Sequence, residues 1–152
     1  MIIREFLASD AEGLAAVYRD AVRGIGPQAY TAEQVAAWAL YPDDMDEFRV
    51  RMSRGLTLVA EVEGRVVAFG QLEPEDHLAF LYCSTDYARR GIGAEIYARL
   101  GARERGVAAI HTEASRISRP FFAKHGYELI EVEHVVRFGV EFERFRMRKV
   151  LG

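Results

Sequence analysis

The chain has 152 residues, 50% hydrophobic and 28% charged, with a formal net charge of -3. That length holds one domain with a substantial core, predicted over residues 1–152, and leaves no room for a second; the small negative charge gives no general attraction to nucleic acid or to an anionic membrane. A single cysteine excludes an internal disulfide framework, no apolar run approaches the roughly 20 residues that cross a bilayer, and the opening Met-Ile-Ile-Arg-Glu-Phe lacks signal-peptide character, so a cytoplasmic protein is expected.

Residues 2–6 alternate as a strand. Ser9 and Glu12 then read as a capping box for a helix with Leu14, Val17, Tyr18 and Ala21 on one face, stopped by Gly24-Ile25-Gly26-Pro27. Thr31 with Gln34 makes a second capping box, for a short helix carrying Val35 and Trp38 and ending at Tyr41-Pro42. Residues 43–53 are acidic at the start and basic at the end, as a helix dipole favours. The period then changes to strands at 56–61, 65–72 and 77–83, with a Glu63-Gly64 turn and a break at Pro74, which predicts an antiparallel meander.

Past that meander the chain turns over glycines into an amphipathic segment, predicted as a helix over 91–105. A strand over 107–113 follows and can pair in parallel after the helical crossover. A last helix over 118–125 stops at Gly126, and strands 127–136 and 140–149 form a hairpin around Phe138-Gly139. The sum is an α/β (α+β) fold: a mixed, mostly antiparallel sheet of six or seven strands with about four helices on both faces.

The run LAFLYCSTDYARRGIGAEI, residues 78–96, is the most informative stretch. A strand that turns over glycines into a helix leaves free N–H groups and a positive helix end aimed at an anion. It is no P-loop, because no lysine follows either glycine, and no dinucleotide fingerprint, because Ile96 stands where a third glycine is needed. It resembles instead the Q/R-x-x-G-x-G/A motif of the GNAT superfamily of acyl-coenzyme A dependent N-acyltransferases. Gly91 and Gly93 match the small positions, Arg89 and Arg90 the basic-tolerant ones, and Leu81-Tyr82-Cys83 the strand end, while Ala88 replaces the leading Gln/Arg. Residues 112–127, TEASRISRPFFAKHGY, resemble the family's downstream aFYxxxGF block, with Phe121, Gly126 and Tyr127 matching, and residues 30–38 resemble the second-helix region of a bacterial subgroup.

The resemblance implies a GNAT fold in which the strand at 77–83 and the next strand splay apart as a parallel pair, with the pantetheine arm of acetyl-coenzyme A in the gap. It implies contacts to that donor from Leu81, Tyr82 and Cys83, from Arg89, Arg90, Gly91, Ile92, Gly93 and Ala94, and from Ser118, Phe121 and Phe122. The implied reaction is direct transfer of the acetyl group to a primary amine of a small molecule or peptide within a ternary complex. The family's tyrosine acid falls at Phe122, which has no proton to give, so either acid assistance is dispensable, a coenzyme A thiolate being a fairly good leaving group, or water or Ser118 takes that role. For the base, alternation places His77, Ala79, Leu81 and Cys83 on one face, which nominates His77, with Glu73 at the preceding turn as second candidate; a turn-end histidine without a role is the competing reading. Cys83 reads as a small apolar strand residue, and Tyr30, Trp38 and Tyr41 either line an acceptor pocket or pack their helix on the sheet.

His111, Glu113 and His125 lack metal-ligand spacing, so no metal is expected. Phe138, Phe142, Phe145 and Met147 give the C-terminal hairpin enough apolar character for a homodimer. Two rival functions follow from the missing tyrosine and strand carboxylate or from partner-dependent action: a non-catalytic coenzyme A sensor, and a protein lysine or N-terminal acetyltransferase.

Overall fold

The computed structural model describes residues 1–101 and 106–151. Its strands are β1 (Ile2–Glu5), β2 (Leu56–Val62), β3 (Arg65–Leu72), β4 (His77–Cys83), β5 (Ala109–Ala114), β6 (Glu128–Arg137) and β7 (Val140–Val150). They form one seven-stranded sheet in the order β1-β2-β3-β4-β5-β7-β6. Every neighbouring pair is antiparallel except β4 and β5. Among the described residues the helices are α1 (Ala11–Ile25), α2 (Ala32–Ala39), α3 (Met45–Met52), α4 (Ile92–Gly101) and α5 (Arg119–Lys124). β4 reaches β5 through α4, the long crossover that parallel neighbours require. The predicted end of that helix, residues 102–105, lies outside the described residues.

Two apolar clusters hold the layers together. On one face Ile92, Ile96 and Leu100 of α4 and Phe122 of α5 pack against Leu58, Ala68, Ile110, Phe145 and Met147. On the other, Leu14 and Tyr18 of α1, Val35 of α2, and Phe48 and Met52 of α3 pack against Val59 and Phe69. The Thr31–Gln34 capping box forms as expected: Gln34 N–H donates to Thr31 Oγ1 at 3.1 Å and Thr31 N–H to Gln34 Oε1 at 3.0 Å. No helix among the described residues is long and apolar enough to cross a membrane.

Two expectations change. The Ser9–Glu12 box does not cap α1; a short 3-10 turn, Ala8–Asp10, precedes the helix, and the buried Asp10 carboxylate does the joining. It accepts from Leu7 N–H at 2.8 Å and from both terminal nitrogens of Arg4 at 2.8 and 2.9 Å, a bidentate charged arrangement stronger than a serine cap, while Glu12 pairs with Arg49. The hairpin residues offered for a dimer surface are mostly interior, because β7 lies between β5 and β6. Phe145 is 5% and Met147 2% exposed, Phe142 packs against the second cluster, and of the four only Phe138, at 59%, is open. Elsewhere on the hairpin the exposed large apolar residues are Leu129, Ile130, Val132 and Val136 of the edge strand β6 and Val150 at the end of β7.

Asp10→Asn is expected to lose about 2 kcal/mol in urea unfolding, because Arg4 loses its bidentate carboxylate and keeps only the longer 3.7 Å contact to Glu61. Arg4 and the Leu7 N–H hold the Asp10 carboxyl below its ordinary pKa against the opposing effect of burial. Its contribution is therefore present above about pH 4, the value in the unfolded chain, and disappears as pH falls through the lower folded value; equal pH dependence in wild type and variant would contradict this.

Candidate active site

β4 and β5 pair only at His77 with His111 and at Leu78 with Thr112, where Thr112 Oγ1 also donates to the Leu78 carbonyl at 2.8 Å. The cause of the separation is on the other edge of β4. There Leu78 opposes Leu72 and Phe80 opposes Gln71, so Ala79 is an extra residue, a bulge. A bulge bends its strand and raises the local twist, and beyond it β4 leaves β5. The phase of the remaining ladder is set by Ser84 N–H donating to the Val67 carbonyl at 2.8 Å. In an antiparallel pair such rungs recur at every second residue, so Phe80 and Tyr82 turn their main-chain groups to β3, and Leu81 and Cys83 turn theirs to the gap.

The bulge also breaks the alternation that grouped His77 with Leu81 and Cys83. Leu78, Leu81 and Cys83 face the α4 side, and Phe80 and Tyr82 face the α1 side, to which His77 is therefore turned.

At the end of β4 the chain is pinned to α1. Asp20 accepts from Ser84 Oγ at 3.1 Å, Thr85 N–H at 2.7 Å and Thr85 Oγ1 at 2.9 Å, and these bonds, the Thr85 N–H foremost, keep its carboxyl below the ordinary range. The approach is close enough that a Cβ on Gly24 would stand 2.3 Å from Thr85 Cγ2. Gly91, at φ +79°, then turns the chain into α4. The first-turn N–H groups of Ile92, Gly93 and Ala94 have no partner inside the helix. A Cβ on Gly91 or Gly93 would meet no atom within 4 Å, so what needs their smallness is not another part of the protein. Arg89 borders this opening, whereas the Arg90 guanidinium lies 5.0 Å over the Tyr87 ring.

A cavity of about 620 Å³ runs from this helix end through the β4–β5 gap to the α1–α2 side. Of the residues expected at the donor, Leu81, Tyr82, Cys83, Arg89, Gly91, Ile92, Gly93, Ala94, Ser118, Phe121 and Phe122 line it; Arg90, His77 and Glu73 do not. Burial pushes the Cys83 thiol up, which keeps it protonated and out of nucleophilic chemistry. Ser118 Oγ accepts from Ser115 N–H at 2.9 Å at the start of α5.

The far end is aromatic. Tyr18, Tyr30, Trp38, Tyr41, Phe80, Tyr82 and Phe142 line it; Tyr30 and Trp38 border the cavity and pack on each other, while Tyr41 borders it and packs on Tyr18 and Phe80. Burial pushes Tyr82 up to about 12 and raises Tyr18 and Tyr41, leaving all three protonated at neutral pH. Two carboxylates, Glu113 and Glu143, and two guanidinium groups, Arg137 and Arg144, reach the same end.

His77 stands behind Glu113. Its Nδ1 is 3.0 Å from the Glu73 carbonyl and its Nε2 is 2.9 and 3.1 Å from the two Glu113 oxygens, so both nitrogens face acceptors, which favours the protonated ring. The Glu113 hydrogen bond outweighs burial and raises the pKa of His77. Burial opposes ionisation of Glu113, but the bond and charge of His77 prevail and hold it below its ordinary value. In this arrangement His77 has no lone pair for a substrate proton, and Glu73 contributes its carbonyl. The group that the sequence reading did not nominate is Glu113. Its signal was the alternation of β5, where Ile110, Thr112 and Ala114 are buried and His111 and Glu113 point the other way.

Comparison with known proteins agrees with this geometry. The family described as an acetyltransferase (GNAT) domain matches residues 27–151. The uncharacterized N-acetyltransferase YafP of Escherichia coli (strain K12) is 26% identical over 146 residues, which cover 96% of this chain and 93% of that protein. A crystal structure of a GCN5-related N-acetyltransferase from Rhodopseudomonas palustris superimposes with a TM-score of 0.95 at 32% identity, covering 99% of this chain and 95% of that one. The fold is shared further by the PaiA N-acetyltransferase of Thermoplasma acidophilum, solved with coenzyme A, at a TM-score of 0.78 and 18% identity over 99% of this chain and 98% of that one. With a sequence match over most of its length and a sheet split at the same place as its crevice, the chain belongs to the GNAT family and is an N-acetyltransferase by class.

Proposed function

We propose that the protein transfers an acetyl group from acetyl-coenzyme A to the primary amine of a small molecule with an apolar or aromatic body. The observation that carries this reading is the single cavity that joins the α4 N-terminus, the unpaired edge of β4 and the aromatic chamber holding Glu113. The chain's own groups fit the donor. First-turn N–H groups and the positive end of α4 suit a diphosphate, and the space beside Gly91 and Gly93 admits it. Main-chain groups of Leu81 and Cys83 offer an amide-rich arm the pairing that β5 withholds, as in strand addition. An N–H at the thioester end of that edge stabilises the oxyanion that develops at the acyl carbon. That the Thermoplasma relative, which shares the fold, was solved with coenzyme A supports the choice of donor.

At the other end Glu113 holds the incoming ammonium and takes the proton whose loss frees the nitrogen lone pair, the second proton passing to solvent once the bond to carbon has formed, and His77, fixed by the Glu73 carbonyl, keeps the carboxylate in place. The nitrogen–acyl carbon bond forms as the carbon–sulfur bond breaks, and sulfur leaves as thiolate. Phe122, buried against Tyr127, offers it no proton, so that proton comes from solvent. The aromatic walls favour an apolar body over a long, polar peptide.

The test is an acceptor screen read by thiol release. Glu113→Gln is expected to lower kcat/KM for the best amine on the order of 10²-fold while leaving the donor KM unchanged. Wild-type rates in that variant would remove Glu113 from the mechanism, and activity on peptide termini with none on small amines would overturn the acceptor class.

Gly93→Ala separates ligand from fold. The added methyl meets no protein atom and improves helix propensity, so thermal stability should hold or rise by up to about 1 kcal/mol, while the donor KM rises at least severalfold. An unchanged donor KM would contradict the placement of the diphosphate.

A further inference from the structure

Beside the acceptor end, two parallel strands bring three ligand-type side chains to one point. His111 and Glu113 are alternate residues of β5 and share a face. His77 stands opposite His111 in register on β4, and the two rings stack with centroids 4.9 Å apart. The ligating atoms of His77, His111 and Glu113 all lie within 4.8 Å of one another. His125, which the spacing argument had grouped with the other two, is elsewhere: its Nδ1 sits 2.8 Å from the Phe121 carbonyl on α5.

The bonding of His77 makes this more than a coincidence of position. Its Nδ1–H is committed to the Glu73 carbonyl, which is the outer partner that orients metal-bound histidines. That commitment leaves Nε2 as a bare lone pair facing a carboxylate at 2.9 and 3.1 Å unless a cation stands between them. A proton fills that requirement in the metal-free protein, and a divalent ion meets it equally well while also reaching His111. On the solvent side Asp76 Oδ1 lies 3.7 Å from His111 Nε2 and adds negative charge to the approach. Two imidazoles and a carboxylate, with room for water at the fourth position, are the donor set of zinc; magnesium and calcium prefer oxygen ligands.

We propose that His77, His111 and Glu113 form a binding site for Zn²⁺ that shares Glu113 with the acceptor end, and that its occupation inhibits transfer by withdrawing Glu113 from the amine. The inhibitory half rests on the acceptor role of Glu113 given under Proposed function; the binding half does not. The ion is a regulator and takes no part in the reaction itself.

The test uses the full chain freed of metal with chelator, titrated with Co²⁺ as a spectroscopic stand-in and then with Zn²⁺. One Co²⁺ per chain is expected, with the intense visible absorption of a four-coordinate site, displaced by Zn²⁺. His111 is exposed enough for His111→Ala to fold, and this variant should bind at least tenfold more weakly while keeping wild-type turnover in chelator. His134→Ala, on the distant hairpin, should bind as wild type does. Zn²⁺ should raise the amine KM of wild type and leave that of His111→Ala unchanged. Absence of the visible band, or equal affinity in wild type and His111→Ala, would overturn the site. Tight binding that leaves the amine KM unchanged would establish the site and overturn the acceptor role of Glu113, so the two failures are told apart.

Discussion

One residue too many in β4 shapes everything around it. Ala79 has no partner on β3, and from that bulge onward β4 keeps its ladder with β3 while departing from β5. A sheet interior ordinarily satisfies every main-chain group. Here the groups of Leu81 and Cys83 are left facing a crevice, where, in the proposed function, a donor of complementary amide character completes the sheet. The same strand end leads directly into the Gly91 turn and α4, so an anion site and a strand-like site lie along one line. Catalysis then needs little further chemistry, because holding amine and thioester together supplies much of the rate.

The second constraint is electrostatic. Glu113 is the carboxylate that reaches the cavity from β5, and it is kept ionised by an imidazolium that cannot turn away, since Glu73 holds the other ring nitrogen. This clamp lies on the α1 side of the sheet, across from the α4 core, and so belongs to the acceptor end. The tyrosines Tyr18 and Tyr82 stay protonated, so the charged groups lining the cavity there are the carboxylates of Glu113 and Glu143 and the guanidinium groups of Arg137 and Arg144, and in the proposed function the carboxylates attract the cationic nitrogen. The absence of a tyrosine at Phe122 is compatible with this arrangement, since a thiolate is a tolerable leaving group without a proton donor.

Much of this was legible in the residues because local signals and the global fold agree. Strand periods placed β3 and β4 at their observed bounds, Gly91 and Gly93 marked the helix end, and Thr31 with Gln34 announced α2. What escaped was whatever depends on partners distant in sequence. A bulge is a relation between two strands, and nothing in His77-Leu78-Ala79-Phe80 taken alone reveals it; strict alternation therefore turned His77 to the wrong face. Ser9 read as the cap because what engages Asp10, the Arg4 guanidinium, comes from β1. The hairpin phenylalanines read as surface because a hairpin's own residues do not say which strand is outer, and the sheet order places β7 inside β6. Glu113 was missed for the same reason as the His77–His111–Glu113 cluster: its neighbours come from a strand on the far side of a helical crossover.

The central claim is that the β4 edge past Ala79 is unpaired until the acyl donor fills it. Amide hydrogen exchange, residue by residue, addresses it most directly. In the free protein the Leu81 and Cys83 amides should exchange much faster than those of Phe80 and Tyr82, and saturating acetyl-coenzyme A should slow Leu81 and Cys83 while leaving Phe80 and Tyr82 as they were. Equal protection of all four without the donor, or no change at Leu81 and Cys83 in a sample that turns over, would contradict the account.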